Sequence, residues 1–465
     1  MVYHGKNLVR ISFVLLALWL SSSLALAQDV TQTTPGGPVV TTPGAPPVPV
    51  PAASAAPPKI DKGDTAWMLT SAALVLMMTI PGLFLFYGGL VRRKNVLGTI
   101  MHSFIIVAVI SLQWVLWGYS LAFGPDIGGW IGNSSWFGLN GVGPEPNPDY
   151  AATIPHAAFM IYQMMFAVIT PALITGAFAE RVKFSAFLVF IVLWATFIYD
   201  PLAHWVWAIG GWMRNFGALD FAGGTVVHIS SGIAGLACAL VLGKRMGHGN
   251  EPMPPHNLPL TIIGASLLWF GWFGFNAGSA VASGALATSA FVATNTATAA
   301  AALAWMVSEW IYRGTPTALG AASGAVAGLV AITPASGFVG PLSSILIGIG
   351  AGIICYLAVV IKARLGYDDA LDAFGIHGVG GTWGAIATGL FASKAINPAG
   401  ADGLFFGNPA QLGIQAVAVV GVWVFSFVGT YVLLKAIDAI IGLRVTKEEE
   451  VTGLDLSQHN EVAYS

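Results

Sequence analysis

From Thr65 onward the chain alternates between long apolar runs and short polar breaks. Apolar stretches occupy residues 65–91, 97–123, 155–179, 184–209, 222–243, 258–280, 285–312, 317–333, 340–361, 374–393 and 410–441. About 20 apolar residues wound as a helix span the ~30 Å hydrocarbon layer of a bilayer. The pattern therefore predicts an all-α integral membrane protein with eleven transmembrane helices. Ahead of them, Lys6 and Arg10 precede the apolar run Ile11 to Leu20, and Ala25-Leu-Ala27 precedes Gln28, the three parts of a secretory signal peptide. An uncleaved anchor helix is the alternative. Residues 28–62, rich in Pro and Thr, cannot bury a core and predict a disordered leader. The division is thus a signal peptide (1–27), the leader (28–62), an eleven-helix domain (63–443) and a polar tail (444–465).

Composition points the same way. Of the 465 residues 56% are hydrophobic and 9% charged, against roughly a quarter charged in soluble domains. Mean hydropathy is +0.75. The net charge of −2 has no basic or acidic block behind it, so the lipid bilayer is the partner implied and nucleic acid is not. The 57 glycines suit membrane helices that must approach closely, as in Gly320-Ala-Ala-Ser-Gly-Ala-Val-Ala-Gly328. Cys238 and Cys355 both lie inside apolar runs, which argues against a disulfide framework or a cysteine metal site. Arg92, Arg93 and Lys94 follow the first stretch, Arg181 and Lys183 the third, Lys244 and Arg245 the fifth, Arg313 the seventh, and Lys362 and Arg364 the ninth. Lys435, Arg444 and Lys447 end or follow the eleventh, while the intervening loops carry only Arg214 and Lys394. By the positive-inside rule this predicts the N-terminus outside and the C-terminus in the cytoplasm.

Two ionisable patterns stand where charge is costly in a membrane. Asp220 lies eight residues before His228, with Gly232 and Gly235 beyond it; Asp369 lies eight before His377, with Gly381 and Gly384 beyond it. The copies are 149 residues, or five helices, apart. An odd number of helices inverts the second copy, giving a five-plus-five inverted repeat with a final helix outside it, and such repeats commonly carry the substrate path at their interface. Chance recurrence among abundant glycines is the competing reading.

Asp220-Phe-Ala-Gly-Gly-Thr-Val-Val-His228, continuing through Ile233-Ala-Gly-Leu236 to Gly243-Lys-Arg245, resembles the signature of the Amt/Mep/Rh ammonium transporter family, bacterial Amt type. Thr79-Ile-Pro-Gly82, Phe86-Tyr-Gly-Gly89, Gly176-Ala-Phe-Ala-Glu-Arg181, Pro255-His-Asn-Leu-Pro259, Gly271-Trp-Phe-Gly-Phe-Asn-Ala-Gly-Ser279, Ala331-Ile-Thr-Pro334 and Phe374-Gly-Ile-His-Gly-Val379 are similar to further blocks of that family. The resemblance covers about residues 61 to 464 and leaves out the leader. It implies a homotrimer in the bacterial inner membrane, each subunit with its own hydrophobic pore, taking up ammonium without cofactor, metal or enzymatic chemistry. It also implies pore histidines at His228 and His377, an outer substrate site at Trp207, Phe166, Tyr162 and Ser279, and a gate of Phe166 and Phe275. Asp220 takes a structural and electrostatic role. The family often has Phe where Tyr162 stands. The tail from Gly442-Leu-Arg-Val445 to Gly453-Leu-Asp-Leu456 is similar to the segment by which bacterial members bind a PII-type signal protein (GlnK-like); a solvated tail is the alternative.

These residue types suit the chemistry. Ammonium and potassium match in size and charge, so selection must use what potassium lacks, hydrogen-bond donation and an exchangeable proton. Aromatic faces hold a cation by about 0.5–2 kcal/mol, and a hydroxyl accepts its N–H. A bare cation would meet a cost of several kcal/mol in a dry apolar pore, which deprotonation to ammonia removes. Two imidazoles can share one hydrogen bond and turn their other nitrogens to the pore. Without the resemblance, Trp207 would read as an interfacial belt residue beside Trp205 and Trp212, Phe166 and Phe275 as packing, and Ser279 as a satisfied hydroxyl. His102, His156 and His204 match no paired pattern and read as structural. An ammonium sensor, signalling from the same site, is the alternative function. A haem protein with axial His228 and His377 is a remoter one that colour would reveal. No P-loop or dinucleotide glycine pattern is evident, which argues against an ATP-driven pump.

Overall fold

The computed structural model describes residues 59–464, so the signal peptide and nearly all of the leader lie outside the described residues. Helices occupy every apolar stretch: α1 (Lys62–Leu90), α2 (Arg93–Phe123), α3 (His156–Phe178), α4 (184–207), α5 (Gly224–Leu242), α6 (Leu258–Ala280), α7 (Ala285–Arg313), α8 (Ala318–Ile332), α9 (Pro341–Leu365), α10 (374–391) and α11 (Ala410–Ile441). Nine of the helices among the described residues are long and apolar enough to cross a membrane; α8 and α10 are shorter. α4 stops at Trp207 because Ala208 turns extended, and one further helical turn, Trp212–Phe216, follows. A small hairpin of β1 (Asp126–Ile127) and β2 (Ile131–Gly132) follows α2.

Small residues set the packing distances, as expected where lipid removes the hydrophobic drive between helices. A Cβ on Gly264 of α6 would fall 2.2 Å from the Phe86 nitrogen of α1, and one on Gly348 of α9 2.2 Å from the Ala297 carbonyl of α7. Large apolar side chains instead face outward in rows, Leu303, Val307 and Ile311 on α7 and Val420, Val424 and Val428 on α11.

The two Asp/His motifs pack reciprocally. Gly232 of α5 has room for no side chain because Gly378 N lies 2.0 Å from where its Cβ would be, while a Cβ on Gly381 of α10 would sit 3.1 Å from both the Gly224 carbonyl and the His228 Cβ. Residue numbers therefore rise along one helix as they fall along the other, so α5 and α10 cross antiparallel. The third glycine of each motif also has matching neighbours, Gly235 against Ala177 of α3 and Gly384 against Ala331 of α8. The exchange extends to the backbone: Phe221 N donates to Pro334 O in the turn just past α8, and Ala370 N donates to Ala177 O near the end of α3.

The tail folds back as two short helices, α12 (Lys447–Thr452) and α13 (Leu454–His459). Thr446 and Glu449 close a capping box on α12. Lys94 Nζ donates to Glu450 O and Val451 O, Leu454 N donates to Asn95 Oδ1, and Gly98 N to Asp455 Oδ1. The tail is thus seated on the start of α2.

Beside it, Glu180 pairs with Arg92 at 2.7 Å and Arg245 at 3.1 Å, and Asp368 pairs with Arg245 at 2.9 Å. Burial by itself raises both carboxyls; Arg245 outweighs it, helped by Arg92 on Glu180 and Arg181 near Asp368, and holds both below the usual carboxylate range. Their contribution to stability is complete above the unfolded carboxylate value of about 4 and is lost as pH falls through and below it. The thermal midpoint in detergent should stay level from about pH 7 to 5 and drop below about pH 4, and Glu180→Gln should shrink that drop. An identical acid profile in the variant would remove Glu180 from this role.

Candidate functional site

Asp220 organises one end of the site. Its buried carboxylate accepts from the backbone N–H of Gly223, Gly224 and Thr225, each at 2.7 Å, from that of Val226 at 3.3 Å, and from the Thr225 hydroxyl. These are the orphan donors of a helix N-terminus, and a carboxylate there also opposes the helix dipole. Gly223 supplies the turn with φ +108°, a region that costs glycine nothing. The Asp220 carbonyl meanwhile accepts from Trp207 Nε1 at 3.0 Å. One residue thus anchors both the start of α5 and the Trp207 indole.

Trp207, Phe166 and Ser279 line a cavity of about 190 Å³ together with Phe221, Gln163 and Tyr150. At its inner end the Phe166 and Phe275 ring centroids lie 4.3 Å apart, and both side chains are buried. The edge of Phe166 also meets Trp207 at 5.7 Å. Beyond Phe275 comes His228 at 5.9 Å, then His377, its ring 5.4 Å from His228 with the two planes within 13°. A second cavity, about 380 Å³, opens at the other end beside Ile376, Leu371 and Asp372, with Phe86, Tyr356 and Glu309 across from them. The order along this axis is cavity, phenylalanine pair, histidine pair, cavity.

Each histidine sits in a widened helical turn with i to i+5 bonding, Gly224–Ile229 in α5 and Phe374–Gly378 in α10. Such turns often mark functional positions. The shared imidazole hydrogen bond that the sequence chemistry allowed is not formed. Both ring nitrogens of His228 and Nδ1 of His377 are buried without a hydrogen-bond partner. The glycine contacts between α5 and α10 fix the backbones, and Trp272 stacks on His228 at 5.3 Å, so packing rather than a bond between the rings sets their pose.

Tyr162 belongs to the cluster differently from Trp207 and Ser279. Its hydroxyl faces Phe275 O at 2.8 Å and Gly274 O at 2.9 Å, with Ser279 Oγ at 3.2 Å, and ties α3 to α6. Ser279 donates to Phe275 O, which leaves its oxygen free to accept on the cavity side. Replacing Tyr162 with Phe should leave the half-saturating ammonium concentration of transport within about twofold and lower stability by about 1 kcal/mol. A tenfold rise in that concentration would show the phenol to be a direct ligand.

Trp272, Phe221 and Gln163 escaped the sequence reading. Trp272 and Phe221 lay inside quoted motif blocks, Trp272 three residues before Phe275 with its Nε1 donating to Thr333 Oγ1; Gln163 carried no signal beyond adjacency to Tyr162. Asp369 caps the start of α10, accepting from Ala373 N and Phe374 N. His156 bonds Tyr119, His204 bonds Ala122 and Asp126, and His102 packs among Phe178, Phe184 and Phe187.

The model of the Ammonium Transporter Family matches residues 66–464. An ammonium transporter of Bacillus subtilis is 57% identical over 403 residues, 86% of this chain and 98% of that protein. The crystal structure of Candida albicans Mep2 is similar with a TM-score of 0.80 at 39% identity, covering 87% of this chain and 91% of that one. A structure described as a sensor Amt protein gives 0.79 at 30% identity, covering 85% and 98%.

Proposed function

Because the chain belongs to the ammonium transporter family, a family of transporters and not of enzymes, we propose that it takes up ammonium by recruiting the ion at an aromatic outer site and passing ammonia through the pore. The observation that carries this reading is the order of the two cavities around the Phe166–Phe275 and His228–His377 pairs. Ammonium rests against the Trp207 and Phe166 rings and donates to Ser279 Oγ. It gives up its proton to water in the outer cavity before the phenylalanine gate, since a cation has no compensating charge among the buried aromatics beyond, and that proton crosses separately, over the imidazoles or a water wire. Ammonia can then donate to or accept from the unpartnered imidazole nitrogens, which spares them the cost of about 1–3 kcal/mol of a buried unmade hydrogen bond. The ion re-forms in the cavity beside Asp372 when the separately conducted proton rejoins the ammonia, so that one charge moves and both the gradient and the membrane potential drive it.

In this reading all eleven helices cross the membrane as a five-plus-five inverted repeat with α11 outside it. The N-terminus is outside, after a cleaved signal peptide, and the lysine- and arginine-rich ends face the cytoplasm of a bacterial cell bounded by its inner membrane. Three subunits assemble, and the seated tail offers α12 and α13 to a PII-type signal protein (GlnK-like). Sensing in place of transport is the second reading, motivated by the likeness to the sensor Amt protein.

Purified protein in liposomes should pass current on an ammonium jump and none on a potassium jump. Trp207→Leu should raise the half-saturating ammonium concentration by about 2- to 30-fold, the equivalent of 0.5–2 kcal/mol of cation–π binding. Ammonium binding with neither current nor a change in internal pH would favour the sensor.

A further inference from the structure

His204, in the last turn of α4, is buried between two hydrogen-bond acceptors. Its Nδ1 lies 3.0 Å from the Ala122 carbonyl and its Nε2 2.8 Å from Asp126 Oδ1. A carbonyl oxygen can only accept, and the same Asp126 oxygen already takes the Gly129 N–H at 2.7 Å. A neutral imidazole has one N–H and would leave one of these contacts without a proton, whereas an imidazolium donates to both. The side chain is fully buried while Asp126 is 28% exposed, so the charge is held inside and its counter-charge stands at the surface.

This ion pair joins the β1–β2 hairpin to the end of the helix that carries Trp207. Asp126 packs on Gly210, where a Cβ would fall 2.6 Å from its own Cβ, just beyond Trp207. The hairpin is fastened twice more, by Trp212 N donating to Gly129 O and by Trp205 Nε1 donating to Trp130 O. From these contacts we infer that His204 is an imidazolium and that, with Asp126, it is a positioning residue for Trp207, resting on the outer-site role of Trp207 proposed above. Titratable and charged groups on the elements packed around it are Asp126 on the hairpin, Asp200 one turn inward on α4, Tyr119 on α2 bonded to His156 of α3, Asp149 and Tyr150 before α3, and Arg214 after α4. Asp200 is engaged by Gln113 and Arg214 by the Trp207 carbonyl, which leaves Asp126 as the counter-charge bonded to the ring. A ring with one N–H sets a bare nitrogen against an acceptor, which loosens the hairpin and frees the Trp207 turn.

Asp126→Asn separates this from a plain packing role. An asparagine can turn its N–H to Nε2 while Nδ1–H still reaches Ala122 O, so the variant tolerates a neutral imidazole. Nitrogen-15 spectra of histidine-labelled protein in bilayers should show His204 with both nitrogens protonated at about pH 7 in the parent and with one in Asp126→Asn. At matched ammonium-ion concentration, the parent's current should fall about tenfold more than the variant's as outer pH rises from about 7 to 9.5, with the two within about threefold of each other at pH 7. A neutral His204 in the parent, or superimposable pH profiles, would overturn the assignment; the parent spectrum decides the charge state even if the variant folds poorly. If Trp207→Leu carries the parent's current with unchanged half-saturation, the outer-site reading fails while the charge state of His204 stands on its own spectrum.

Discussion

Liposomes carrying the His228→Ala, His377→Ala double variant are expected to lose discrimination between ammonium and potassium. In the parent, two near-parallel imidazoles stand between Phe275 and the second cavity, on the proposed path, and their unpartnered nitrogens suit a neutral, hydrogen-bonding molecule. Removing both rings opens space for water, and a hydrated path lowers the cost of several kcal/mol that excludes an intact cation. Each 1.4 kcal/mol is tenfold, so a potassium current rising about 100-fold or more toward the ammonium current is the expected size. Currents on alternating ammonium and potassium jumps measure it directly. A double variant that still carried ammonium and still refused potassium would sink the role of the pair in selection. Single variants should fall between, because the remaining ring keeps part of the constriction and its stacking on Trp272 belongs to His228 alone.

Asp220→Ala should have the larger effect on the fold. The side chain accepts from four buried backbone N–H groups and one hydroxyl, and alanine leaves all of them without a partner. At about 1–3 kcal/mol for an unsatisfied buried donor, with the individual costs overlapping, the loss should reach roughly 3–5 kcal/mol. The same change releases the start of α5, displacing His228, and the loop whose carbonyl holds Trp207, so current should vanish even in protein that stays folded. Detergent thermal unfolding together with ammonium currents checks both parts. Asp369→Ala should cost less, since that carboxylate accepts from two backbone N–H groups. An Asp220→Ala protein with the parent's stability would mean that water replaces these bonds, and that the carboxylate acts on the passing cation instead.

How far the site could be read beforehand differs residue by residue. His228 and His377 stood out because membrane burial makes an ionisable side chain rare, and the matching glycines at fixed offsets pointed to a repeat. For Asp220 the family resemblance supplied a structural and electrostatic role, though not the number of donors it holds. Phe166, Phe275 and Trp207 could not be told from packing residues by composition, because an aromatic ring on an apolar helix serves a core and a pore equally well; their grouping came from the family resemblance. Tyr162 shows the reverse limit. A phenol beside a cation site suggests a ligand, yet here it spans α3 and α6.

The sequence by itself determined the class of protein and the places of its helices, since these follow from a local quantity, hydropathy summed over a helix length. The tertiary structure alone decided that the two imidazoles stand near-parallel with no hydrogen bond between them, that Trp272 stacks on His228, and that the tail is seated on the start of α2. These depend on distances between residues far apart in the chain, and an imidazole's partner or a ring's neighbour is fixed only when the helices carrying them have packed.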